Sequence, residues 1–395
     1  MCETRIRHKR PCANVDASFV HAQTTKPKLP KPRQPPYFVP KRKEAGATPQ
    51  TKCNLKKKIL IHDIAKHLEV SIATVSLVLN GKAKEKRISD VLAERVLKYV
   101  EEVGYKPNQL AKSLRTGKTH VIGLVIEDIA NPFFATVAAL IEKKALERGY
   151  RMLYCSTNND SAKTRDLLTM FQERHVDGYI LALPNGVEAE VRALVRSGKP
   201  LVLFDRLLPG VPANAVVVDG AAGMYEATQH LLRQGFQRIA LLMPQLDQTQ
   251  MTGRAQGYAQ ALREAGLTPL MHEVAFPQEH EPLLQDILRF FEAHPACDAV
   301  LFATNYLGVY GLEALRRLGR RIPEEIAVIS FDDNDLFRLY SPPITVVAQP
   351  LEALAEDVIS TLLVSLEERA EPGRIVQLQL APQLVVRASS IRPAP

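Results

Sequence analysis

The chain has 395 residues, 46% of them hydrophobic and 24% charged, which is the balance of a globular protein with material for two or three domains. No uninterrupted apolar run of about 18 residues occurs, and the basic first residues lack the apolar segment and cleavage site of a secretory signal, so the expected location is the cytoplasm, with no membrane partner. Five scattered cysteines without CxxC spacing argue against a zinc site or a disulfide framework and read as reduced thiols; no metal and no cofactor is expected. The net charge of +8 is unevenly placed: residues 1–58 carry 15 Lys/Arg against 3 Asp/Glu, residues 59–118 carry 11 against 7, and residues 119–395 keep a balance of −8. A basic start on an acidic body suggests a polyanionic partner held by the N-terminal third.

Residues 1–58 form a basic Pro-rich extension (KPKLPKPRQPPYFVPKRK) with no helical or strand period, so disordered or extended chain is expected. It reads as a phosphate-clinging arm, a dispensable tail, or translation upstream of a natural start near Leu55. From Ile59 the texture changes. Ile61, Ile64, Ala65 and Leu68 repeat on one helical face. A turn at 69–71 follows, and Ser71 can cap a second helix, IATVSLVLN, with Val75, Val78 and Leu79 facing inward. A third helix runs from a Ser89 cap to Val103, burying Leu92, Val96, Tyr99, Val100 and Val103. Residues 59–104 therefore read as a helix-turn-helix unit, whose second helix enters the major groove by its N-terminal end.

Helix pairs with tight turns also occur in plain bundles, so the outward residues carry the argument. Ile72 and Leu77 are apolar where a solvated face would carry charge, and they suit thymine methyl groups; Thr74, Ser76 and Asn80 can reach base edges or phosphates. Lys82, Lys84, Lys86 and Arg87 in the following loop suit phosphates. Residues 105–118 come next as hinge helix and linker. Gly104 can end the third helix at φ > 0, Pro107 blocks its continuation and Asn108 can cap a new one. Leu110, Ala111 and Leu114 would give that new helix a narrow apolar stripe, yet two turns are too few to stand alone in water. A partner must complete it.

The motifs ATVS and VLNG, the hinge GYKPNQLAKSLR, and the strand IGLV with NPFF after it resemble, in order and spacing, the LacI/GalR family of bacterial transcription regulators. The resemblance runs from about Ile59 to Ser390. Leu77 stands where that family usually has Arg, and the GKAKEKRIS loop is longer than usual. What the resemblance implies is an N-terminal all-α DNA reader on an α/β core, two-lobed and periplasmic-binding-protein-like, with three chain crossings between its lobes. It further implies a repressor bound to double-stranded operator DNA, a homodimer with tetramer assembly left open, and Leu114 wedged into the minor groove. The DNA-contacting candidates are Leu60, Ser71, Ile72, Ala73, Thr74, Ser76, Leu77, Asn80, Arg87, Asn108, Ala111 and Leu114.

Residues 119–395 alternate apolar runs (VIGLVI, RMLYCS, GYILAL, PLVLF, AVVVD, RIALLM, AVLFA, AVISF) with amphipathic helical segments, the pattern of parallel sheets with helices on both faces. Ligands bind beyond the carboxyl ends of such strands. Those ends present Asp128 and Asn131, Asp205 and Arg206, Asn305, and Asp332, Asp333 and Asn334; Arg254 is expected to open a helix after RIALLM. Short carboxylates and amides with one Arg pair well with adjacent hydroxyls, and Phe133, Phe134 or Tyr306 can stack on a ring, so a small effector of carbohydrate type is expected. Any one of these residues could instead merely cap a helix. The resemblance implies effector contacts at Phe133, Asp205, Arg254, Asn305 and Asp332, beside which Asp128, Asn131 and Phe134 are candidates from their placement. No catalytic residues are expected: phosphate-loop, GxSxG and HExxH motifs are missing, and the Asp332-Asp333 pair has no nucleophile beside it. A sugar-binding transport receptor or an α/β enzyme would share the core but not the helix-turn-helix.

Overall fold

The computed structural model describes residues 59–105, 113, 116–275, 279–367 and 374–392. The basic extension and most of the hinge, including Asn108, Ala111 and Leu114, lie outside the described residues.

Three helices open the described chain: α1 (Ile61–His67), α2 (Ile72–Leu79) and α3 (Asp90–Glu102). They form because their caps and apolar faces agree. Ser71 Oγ accepts the Thr74 amide at 3.0 Å and Ser89 Oγ accepts the Leu92 amide at 3.4 Å, each satisfying a donor the helix leaves free. Glu69 takes φ +55° in the turn between α1 and α2, and Gly104 takes φ +62° after α3. Ile64, Leu68, Val75, Val78 and Val96 make a small buried core, and Arg95 ties α3 to the end of α1 through the Leu68 carbonyl.

The rest folds as two α/β lobes. The first contains β1 (Val121–Ile126), α4 (Pro132–Glu147), β2 (Arg151–Ser156), α5 (Ser161–Glu173), β3 (Gly178–Leu181), α6 (Glu188–Arg196), β4 (Leu201–Phe204) and β5 (Asn214–Val218). The second contains α7 (Gly220–Arg233), β6 (Ile239–Pro244), α8 (Thr249–Glu264), β7 (Leu270–Val274), α9 (His280–Ala293), β8 (Ala299–Phe302), α10 (Asn305–Arg317), β9 (Ala327–Phe331), α11 (Asp335–Leu339) and β10 (Thr345–Ala348). The chain returns through α12 (Leu351–Leu366) and β11 (Gln377–Leu380) to the first lobe and ends with β12 (Gln383–Val385) in the second. It thus crosses between lobes after β5, after β10 and after β11.

Each lobe has a six-stranded sheet, in the orders β11-β5-β4-β3-β1-β2 and β12-β10-β9-β8-β6-β7. β4 and β9 therefore hold equivalent places. Central strands such as β3, β4, β8 and β9 are buried along their whole length, as expected when helices cover both faces of a parallel sheet. Helices α4 and α12 close one face of the first sheet, α5 and α6 the other; in the second lobe α9 and α10 face α7 and α8 across the sheet. Helices α7 and α8 approach so closely that a Cβ on Gly257 would overlap the Ala221 carbonyl.

Two differences from the sequence reading stand out. The sheets are not wholly parallel, since β12 runs antiparallel to β10. Strand β7 was not among the apolar runs because LMHEV is an edge strand with alternating exposure. Among the described residues no helix is long and apolar enough to cross a membrane.

Candidate functional sites

Helix α2 presents its candidate DNA-reading face outward. Ile72 is 46% exposed, Ala73 is exposed, and Ser76 and Leu77 are half-buried on the flank of the helix. Other candidates have local duties. The Ser71 and Thr74 hydroxyls bond each other at 2.8 Å, and Asn80 Nδ2 donates to the Ser76 carbonyl at 2.6 Å, closing the last turn of the helix. Leu60 precedes α1, exposed, and its amide donates to Asp63 Oδ2 at 2.9 Å. Lys82, Lys84, Lys86 and Arg87 are all exposed on one loop beside α2.

The second site is the cleft between the lobes, where the carboxyl ends of both sheets face each other. At the equivalent ends of β4 and β9, Asp205 and Asp332 both take φ +66°. Left-handed backbone is uncommon outside glycine, and it tends to be kept where function over-determines it. At β4 this turn folds the chain back, with the Arg206 amide donating to the Phe204 carbonyl at 2.7 Å, so the Arg206 side chain enters the cleft.

Arg206 is 3% exposed and binds four partners. Its Nε donates to Asp205 Oδ2 at 2.7 Å, Nη2 to Glu127 Oε2 at 2.9 Å, and Nη1 both to Gln248 Oε1 at 2.6 Å and to Asn159 Oδ1 at 3.1 Å. Burial opposes its charge, but the carboxylates of Asp205 and Glu127 outweigh that and hold its pKa above the usual value. Gln248 belongs to the second lobe and the other partners to the first, so the network latches the lobes together. Further bonds cross the cleft: Gln248 Nε2 to Asn159 Oδ1 at 3.0 Å, the Leu207 amide to Thr249 Oγ1 at 3.0 Å, Asn185 Nδ2 to the Asp247 carbonyl at 2.6 Å, and Asn305 Nδ2 to Asn131 Oδ1 at 2.9 Å.

Arg254 lies opposite, 5% exposed. It does not open its helix: α8 starts at Thr249, which puts Arg254 in the second turn, facing the cleft. Its Nη1 donates to the Ala303 carbonyl at 2.6 Å and its guanidinium lies 3.5 Å from the Phe331 ring centroid. Burial lowers its pKa against the pull of Asp332 and Asp205. Burial likewise raises that of Asp332, against Arg254 and the bond from Gln349 Nε2 at 2.6 Å. Both charges are thus held at a cost that the surrounding bonds do not fully offset. Arg254 Nε, Gln250 Oε1 and Asn159 Nδ2 are buried without a hydrogen-bond partner, a state that normally marks a place where another polar group belongs.

Asn131, Phe133, Phe134, Asp205, Arg254 and Asp332 line the inner part of this cleft, and Asp128, Asn131 and Asn305 line its outer part. All eight effector candidates thus come together. Several also cap: Asn131 Oδ1 accepts the Phe133 amide at 3.0 Å, and Asp128 Oδ1 the Ala130 amide at 2.9 Å. Asn334 and Asp333 stay outside the site, the former capping α11 and the latter paired with Arg387 at 2.6 Å. The sequence reading missed Glu127, Gln248, Gln250 and Gln349, and it counted one arginine where the cleft has two. Arg206 had been singled out at a strand end without a role in the site, and Glu127 adjoins Asp128, which was the available signal; nothing local marked the glutamines.

The description "Bacterial regulatory proteins, lacI family" matches residues 60–108, and "Periplasmic binding protein-like domain" matches residues 228–390. The HTH-type transcriptional regulator DegA of Bacillus subtilis (strain 168) is 31% identical over 341 residues, spanning 84% of this chain and 98% of its own. The chain belongs to the lacI family of bacterial regulatory proteins. Among solved structures, the transcriptional regulator CelR-cellobiose complex is 28% identical with a TM-score of 0.62, covering 84% of this chain and 99% of that one. The lac repressor dimer bound to operator and the anti-inducer ONPF, 21% identical, shares the fold with a TM-score of 0.76 over 85% of this chain and 100% of that one. The relatives in this family are transcriptional regulators, not enzymes.

Proposed function

We propose that this protein is a cytoplasmic transcriptional repressor, active as a homodimer, whose hold on a two-fold-symmetric operator is set by a small saccharide bound between the lobes. Residues 59–104 read the DNA, residues 105–118 form the hinge and residues 119–395 the effector-binding and dimerising core. Two copies of α2 enter successive major grooves, with Ile72, Ala73 and Leu77 against base edges and the basic loop 82–87 on phosphates. In the hinge, Leu114 is the residue for the minor groove at the operator centre.

The observation that carries the effector reading is the pair of buried, unpartnered atoms on Arg254 and Gln250, two residues that line one interlobe cleft. A polyhydroxylated ligand offers an acceptor to the first and a donor to the second. The CelR structure, a complex with cellobiose, supports a saccharide as the class. In this reading the ligand competes with the bonds of Arg206, Gln248, Asn159, Asn131 and Asn305 that now join the lobes, changing how the lobes sit. Effector and operator affinities are then linked through the hinge. Selection of bound sequences from random duplex DNA tests the reader: a two-fold-symmetric consensus is expected, and binding without sequence preference would refute it.

A further inference from the structure

The cleft divides into two unequal parts. The inner part, around Arg206 and Arg254, leaves about 30 Å³ free, room for one or two water molecules or a hydroxyl group but not for a sugar ring. The outer chamber leaves about 330 Å³, within the usual range for small-molecule sites. Its apolar wall is made by Pro132, Val274, Leu283, Tyr306 and Tyr310, its polar wall by Glu127, Asp128, Asn131, Asn158 and Asn305, and the two parts meet at Glu127, Asn131 and Tyr306. Tyrosine rings suit the C–H faces of a sugar, while a hydroxyl reaching inward would meet the free Nε of Arg254 and Oε1 of Gln250.

The charges on the two parts are not balanced. Arg206 is shared by Glu127 and Asp205, and Arg254 is faced by Asp332, so the inner part sets two guanidinium groups against three carboxylates. Asp128 adds a fourth carboxylate on the outer chamber. It forms no ion pair among the described residues, and none of the described residues lining that chamber is Lys, Arg or His. An anionic group brought into the chamber would lose water beside like charge with no cation to receive it, whereas a hydroxyl or an ammonium would find acceptors.

We infer that the effector is an uncharged or amine-bearing saccharide whose ring body occupies the outer chamber, and that Asp128, backed by Glu127, rejects phosphorylated and carboxylated saccharides. This rests on the cleft being the effector site. Isothermal titration of the full chain with matched mono- and disaccharides in neutral, amino, phosphorylated and uronic forms tests it. Neutral or amino forms should bind at least about tenfold more tightly than their anionic counterparts. Asp128→Asn should narrow that ratio by about threefold. An anionic form binding as tightly as its neutral counterpart overturns the inference, as does the failure of every member of the set to bind. Arg254→Ala separates the two claims. If it abolishes binding of an anionic saccharide, the cleft stands and the charge rule falls; if the tightest ligand binds Arg254→Ala unchanged, the cleft reading falls.

Discussion

On helix α2 apolar side chains stand in water, whereas in the interlobe cleft two guanidinium groups are taken out of it. Ile72 is 46% exposed at the start of a helix whose cap and inward face are complete, so a partner can cover it without rearranging anything. Arg206, at 3% exposure, is embedded in bonds that also hold the lobes together, and Arg254, at 5%, is bonded within the second lobe beside them. A partner entering there must replace bonds, and replacing them alters the lobes. Exposure of apolar groups on a capped helix suits recognition; burial of under-satisfied polar groups at the junction of two lobes suits a switch.

Five substitutions test this contrast, in descending order of expected effect. Arg206→Ala leaves Glu127 and Asp205 buried without their cation and should destabilise the core by roughly 3–5 kcal/mol in chemical denaturation. Adding Glu127→Gln to it should cost much less than the sum of the two single changes, because the residues share one network; strict additivity would mean that the latch is not a unit. Arg254→Ala should abolish the response of the operator complex to effector while operator binding without effector is retained, as read by fluorescence anisotropy. Ile72→Ala should weaken operator binding by on the order of 1 kcal/mol, with stability changed by no more than about 0.5 kcal/mol. An equal loss of stability would move Ile72 from recognition to core. Ser71→Ala should lower the stability of the reader by about 1 kcal/mol through the lost cap, and operator affinity should follow only as far as folding does.

The two regions also differ in how far the sequence revealed them. The reader was legible almost to the residue, because Ser71 and Ser89 cap their helices and the faces of α1, α2 and α3 repeat at the helical period. The central strands were legible because burial on both faces leaves unbroken apolar runs, and β7 was missed because LMHEV alternates between exposed and covered residues. In the cleft, the strand-end rule found Asp205, Arg206, Asn305 and Asp332, but not what Arg206 is bonded to. It could not find the latch. Arg206 meets Gln248 across 42 positions, Asn159 across 47 and Glu127 across 79, and no local pattern connects loops from both lobes. Asn131 shows why a single residue was ambiguous: one oxygen caps α4 and also receives Asn305 from the other lobe.

The central claim is that the cleft and the operator share one conformational equilibrium. It is tested most directly by measuring the affinity of a cleft-binding saccharide for the full chain twice, free and saturated with its selected operator. The account predicts that operator shifts saccharide affinity by the same factor as saccharide shifts operator affinity, a factor on the order of 5–150, and that Arg254→Ala removes the saccharide half of that linkage. Identical saccharide affinities with and without operator would contradict it.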